Sequence, residues 1–172
     1  GVDISRMCCE PLLVYGPKAL EDHKKGLCTY DVEQVVLAIV VTTGIASIFL
    51  TKDYTPDYNS GLAHAIFYAM TAYPVIEERH LHGEVVGFGI LLALLADGQE
   101  AEFEKIYQLN KKVGLPVRLE DIEVTKAQWE ECKKKIPDMS DVAHYPYKVT
   151  EKMLTDAMNR LRERVKEDEK TK

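Results

Sequence analysis

From Glu84 to Ala96 the chain reads EVVGFGILLALLA, apolar almost all round any helix axis. A helix with no polar face is one that packs against other helices. Gly87 and Gly89 interrupt the run where a neighbouring backbone can come close. A G-x-x-x-G spacing at Gly83 and Gly87 precedes only about a dozen apolar residues, against the roughly 20 that span a bilayer. Close helix packing in a buried core is the reading that follows.

The flanking sequence supplies further helices. An amphipathic helix is under way at Asp3, and Gly16-Pro17 marks a break before KALEDHKK, which Gly26 stops. Thr29 or Asp31 caps a long helix over Val32 to Leu50, expected to be central because its apolar positions surround the axis. Its most membrane-like part, Val35 to Leu50, contains Thr42, Thr43, Gly44 and Ser47 and is short for a span. The turn-forming TKDYTPDYNSG then delivers Ser60 as the cap of a helix reaching Tyr73. Pro74 breaks that helix, and a short polar connection leads into the next one at His82-Gly83-Glu84.

Beyond Asp97-Gly98, a helix covers Glu100 to Val113 and ends at Gly114-Leu115-Pro116. The segment VRLEDIEVT suits either a short strand or an extended connection. Thr125 caps a helix through Lys135, Ile136-Pro137 closes it, and a last helix starts near Thr150, with residues 167–172 fraying in solvent. No repeat recurs at a fixed period. Gly87-Phe88-Gly89 lacks the third glycine and the preceding strand of a phosphate loop. The fold expected is all-α, a single multi-helix bundle over residues 1–172, with no nucleotide-binding α/β domain.

A net charge of -6, with lysines interleaved among glutamates, excludes nucleic acid as the main partner. Cys8, Cys9, Cys28 and Cys132 form neither a C-x-x-C pair nor a disulfide framework, which suits reduced thiols in the cytoplasm. The start carries Asp3, Arg6 and Glu10 in place of a signal peptide's apolar region. With no opening Met it reads as a cut end, and neither secretion nor a membrane is expected.

Two histidines stand out within Ser60–Ala96. His64 and His82 each sit in apolar helical sequence and can face one gap between helices. A histidine on an apolar helix is more often a hydrogen-bonded core residue than a ligand. Two imidazoles with a carboxylate are nonetheless a common set for a catalytic divalent ion. His80 makes an H-x-H with His82, but alternate residues entering a helix point in different directions, so His80 is expected exposed or behind the ligands, with Tyr68 and Tyr73 as further neighbours.

The segment S-G-L-A-H-A-I followed by H-G-E-V-V-G-F-G resembles the helical, metal-binding domain of the glycerol dehydrogenase branch of the iron-containing alcohol dehydrogenase superfamily, which shares its C-terminal fold with the dehydroquinate synthases. The similarity continues through G-L-P-V near Gly114 and Y-P-Y-K-V-T before the last helix. The resemblance implies that His64 and His82 are metal ligands. Family members take a third ligand from an aspartate seven residues before a glutamate, which Asp3 and Glu10 match, making Asp3 the implied third ligand.

The same resemblance implies zinc, with iron as the alternative, and a small polyol such as glycerol as substrate. It also implies NAD(P), bound by an N-terminal α/β domain that these residues do not contain. The chain is thus expected to be a domain fragment, inactive as a dehydrogenase alone, with homo-oligomerisation left open. A dehydroquinate synthase-like lyase is the competing enzyme reading. It resembles the chain less well, favouring a glutamate as first ligand and G-H-A-I-E where Ala63 to Phe67 read AHAIF. A metal-free helical assembly module, with the histidines as remnants, is the non-enzyme alternative.

Overall fold

The computed structural model describes residues 2–50 and 60–170, with the side chains of residues 2–5 and 50 outside that description. The turn-rich loop expected after Leu50 therefore falls outside the described residues, as do the last two residues. All described elements are helical; no strand occurs among them. Where length alone suggests one body, the chain divides into two compact units, Gly1–Asn59 and Ser60–Lys172.

The first unit is a hairpin. Helix α1 spans Val2–Lys24 without a break, although Gly16-Pro17 is read from sequence as one, and it carries Pro11 and Pro17 inside it. Each interior proline removes a backbone donor. Packing along the returning arm holds α1 helical through both. The turn is built on Asp22, whose carbonyl accepts from the amides of Lys25 and Leu27 at 3.0 and 2.9 Å. Its buried carboxylate pairs with Lys18 and accepts from Thr29 Oγ1 at 2.8 Å. Gly26 completes the turn at φ 71°, a left-handed value that a side chain would oppose.

The returning arm comprises α2 (Tyr30–Leu37), a π-helical turn (Ala38–Thr42) and α3 (Thr43–Leu50). Thr43 Oγ1 donates to the Ala38 carbonyl at 2.9 Å across the widened turn. The arm is not the buried central helix that its composition suggests. Only 11% of its apolar stretch Tyr30–Phe49 is buried, and at 20 residues and a mean hydropathy of 2.0 it is long and apolar enough to cross a membrane. Sequence hydrophobicity reports what a side chain prefers, and here the hairpin offers only α1 to bury it against.

The second unit is built round a different helix from the one expected to be central. Helix α6 (His82–Ala96) lies at its centre, burying Val85, Phe88, Leu91, Leu92 and Leu95. Around it pack α4 (Leu62–Met70), α7 (Glu100–Val113) and α9 (Glu151–Lys170). Helix α9 presents Leu154, Ala157, Met158 and Leu161, the i, i+3, i+4, i+7 set of one helix face. Helix α8 (Lys126–Lys135) adds Trp129 and Cys132, and starts on the expected Thr125 cap, whose hydroxyl accepts from the Gln128 amide.

Several local features depart from the sequence reading. Pro74 starts a helix, α5 (Pro74–Arg79), where a break and a polar connection were expected, because proline's fixed φ suits the first turn. VRLEDIEVT is neither strand nor extended linker: Leu119–Ile122 forms a 3-10 turn, and Asp121 accepts from the Val117 amide at 2.9 Å. Gly114 ends α7 at φ 80°, as its position suggested. The expected frayed end is helical to Lys170, because Asp168 pairs with Lys111 and Arg164 and Glu169 with Arg118.

Candidate metal centre

The helix that carries His64 begins without a side-chain cap. Gly61, not Ser60, takes the N-cap position, and the Leu62 amide donates to Tyr145 Oη at 3.1 Å. A Cβ on Gly61 would stand 3.3 Å from that same oxygen, so glycine lets the phenol reach the first turn. Tyr145 stacks edge-on against Tyr147, whose hydroxyl donates to Asp97 at the end of α6 at 2.7 Å. One short segment, Tyr145-Pro146-Tyr147, thus ties the start of α4 to the end of α6.

The second histidine opens α6. Leu81 occupies the N-cap position, and the Glu84 carboxylate reaches back to accept from the Leu81 amide at 2.9 Å. Just before it, Arg79 pairs with Glu123 at 2.6 Å. His80 lies between Glu84 and Glu123 at 3.7 and 3.6 Å, its Nε2 buried without a hydrogen-bond partner. The sequence reading left His80 exposed or behind the ligands; its side chain is 10% exposed, turned into this corner.

Helices α4 and α6 meet at Gly89, where a Cβ would fall 2.7 Å from the Ala63 carbonyl oxygen. That approach brings the two imidazoles together, with ring centroids 5.5 Å apart. Phe67 stands edge-on to the His82 ring at 4.4 Å, and the exposed Tyr68 lies 6.4 Å from His64. Burial first, then the neighbouring His82, holds His64 below the ordinary histidine value, while Asp141 pulls it the other way. A neutral ring keeps a lone pair for a ligand.

Of the sequence-derived set, His64 and His82 are brought side by side. The carboxylate of Asp3 lies outside the described side chains, and no cluster of three His, Cys, Asp or Glu suited to an ion occurs among the described residues. Tyr73 turns to α8, donating to Glu131 at 2.6 Å, and that bond pushes its phenol up to about 12. Asp141 and Tyr145 were missed: both come from the loop before α9, which has no periodicity to read. A cavity of about 550 Å³ is lined by His80, Glu84 and Lys111 but by neither His64 nor His82.

No protein-family model matches the chain. Its sequence is 31% identical over 159 residues to a glycerol dehydrogenase of Thermotoga maritima, spanning 87% of this chain and 40% of that protein. It is 34% identical over 129 residues to a glycerol dehydrogenase of Citrobacter freundii, spanning 72% of this chain and 32% of that protein. The crystal structure of a probable glycerol dehydrogenase from Sinorhizobium meliloti superposes with a TM-score of 0.76 at 24% identity, over 92% of this chain and 44% of that one. At that identity the superposition shows the fold alone. The chain therefore spans well under half the length of the relatives it matches.

Proposed function

Since this chain belongs to the glycerol dehydrogenase family, as its helical domain, we propose that it is the metal- and substrate-binding half of a polyol dehydrogenase. The observation that carries this reading is the imidazole pair, with rings 5.5 Å apart where α4 and α6 begin. Zinc is the ion that two nitrogens and a carboxylate suit, with iron as the alternative, and Asp3 is the proposed carboxylate. Bound there, a divalent ion would supply Lewis acidity, favouring ionisation of a substrate hydroxyl before hydride leaves.

The chain's own residues prepare that place. His64, held neutral by burial, offers a lone pair at ordinary pH. His82 is exposed at the mouth of its helix, so a small polyol can reach the pair. Phe67, buried in the core, buttresses the His82 ring edge-on. Glu84 secures the first turn of α6 and so the origin of His82. The hydride acceptor, NAD or NADP, is assigned to the part of the longer relatives that this chain does not span.

Metal content of the purified chain, prepared without chelator, tests the proposal. Zinc or iron should be present at close to one ion per chain, be lost in His64→Ala and His82→Ala, and weaken in Asp3→Asn. Metal at the same level in wild type and both histidine variants would remove the site.

A further inference from the structure

Four helical turns among the described residues close in the same way, with one amide donating to the carbonyl five residues back: Leu27 to Asp22, Gln99 to Leu94, Leu115 to Asn110 and Val124 to Leu119. This closure takes a left-handed backbone at the residue before the donor, which glycine adopts without steric penalty. Gly26, Gly98 and Gly114 fill three of those positions, at φ 71°, 71° and 80°. The fourth is Glu123 at φ 56°, the one non-glycine residue with positive φ among the described residues. Glutamate gives this turn nothing that glycine would not, so the reason for it lies in its side chain.

That side chain reaches the joint between α5 and α6. One carboxylate oxygen accepts from Arg79 Nη1 at 2.6 Å, and the other lies 3.6 Å from His80 Nε2. Arg79 ends α5, His80 follows it in extended conformation at φ -123°, and Leu81 and His82 open α6. The apolar core anchors the chain at Ile76 and again at Val85, and no residue from 77 to 84 belongs to it. Glu84 braces the joint from within α6. Glu123 braces it from a turn 44 residues away from Arg79 in sequence.

We propose that Glu123 is a positioning residue for His82: by clamping Arg79 and His80 it fixes where α6 begins, and so holds the His82 ring against Phe67 and beside His64. The proposal rests on the ion site proposed above, and gives His82 the outer support that metal-ligating histidines depend on. An ion pair outside the core adds little to overall stability. The effect of the clamp therefore falls on the placement of the ring and not on melting.

Glu123→Gly separates the two roles, because glycine suits the left-handed turn and removes the carboxylate. In the whole chain its melting temperature should equal or exceed that of the wild type. Its zinc affinity, measured by chelator competition near neutral pH, should fall by about tenfold or more. Glu123→Gln, which keeps one oxygen for Arg79, should recover part of that loss. In the metal-free chain the NMR signals of the His82 ring, 4.4 Å from Phe67, should shift in Glu123→Gly while those of the buried Trp129 stay in place. Wild-type zinc affinity in Glu123→Gly, or a melting temperature that falls in step with affinity, overturns the clamp. A wild type that takes up no zinc removes the ion site instead, and the His82 signals then decide the clamp: moved by Glu123→Gly they uphold it, unmoved they overturn it.

Discussion

Gly89 lies so close to Ala63 that a Cβ on the glycine would stand 2.7 Å from the Ala63 carbonyl oxygen and 3.0 Å from its Cα. This contact sets the separation of α4 and α6, and with it the distance between His64 on one and His82 on the other. Gly87 and Gly83 in the same stretch have no such neighbour, with ordinary contact or open space where a Cβ would go.

Gly89→Ala should therefore push α4 away from α6. Overpacking of this kind costs about 1–3 kcal/mol, more than the gain of up to about 1 kcal/mol from replacing glycine inside a helix. We expect a lower melting temperature and weakened zinc retention, read by thermal circular dichroism and metal analysis. Gly83→Ala, facing open space, should stabilise or be neutral and serves as the control.

Tyr145→Phe removes the acceptor for the Leu62 amide and leaves the first turn of α4 uncapped. Loss of a cap costs about 1 kcal/mol. Amide exchange at residues 62–65 should accelerate in the variant while that of α7 is unchanged. Uniform acceleration across the second unit would mean that Tyr145 holds the whole bundle and not this turn.

Acid should loosen α9 from α7. Asp168 accepts from Lys111, Arg164 and Tyr107, and the Lys111 bond first, then Arg164, holds its carboxyl well below the usual carboxylate range. Glu104 is held down likewise, chiefly by Arg164. A carboxyl depressed in the folded state adds stability that is present above its unfolded value of roughly 4 and is lost as pH falls through the folded value. Melting temperature should drop as pH is lowered below roughly 4, and Asp168→Asn should be less stable at neutral pH with a shallower acid slope. Equal slopes in the two proteins would dissociate Asp168 from the effect.

The parts of this molecule that were legible in the sequence are those with a periodic or capping signal. The all-round apolar run of α6, the Thr125 cap and the Gly114 stop each carry one physical meaning. Pro74 carries two, since proline both ends one helix and opens the next, and its second use was overlooked. The π turn leaves no mark beyond a β-branched run, so the exposed arm from Val36 to Phe49 looked like an ordinary core helix. That His64 and His82 share one gap was legible because an imidazole is out of place in apolar sequence. Asp141 and Tyr145 were not, because loop residues reach their partners through tertiary contacts that no local pattern encodes.

His64 and His82 are proposed to hold one divalent ion together. Cobalt is the most direct probe, because its visible absorption reports the nitrogen ligands themselves. Titrating the chain with Co²⁺ near neutral pH should develop a d–d band that saturates at one ion per chain, is displaced by Zn²⁺, and is absent from the His64→Ala/His82→Ala protein. No band in the wild type, or the same band in the double variant, would contradict the claim.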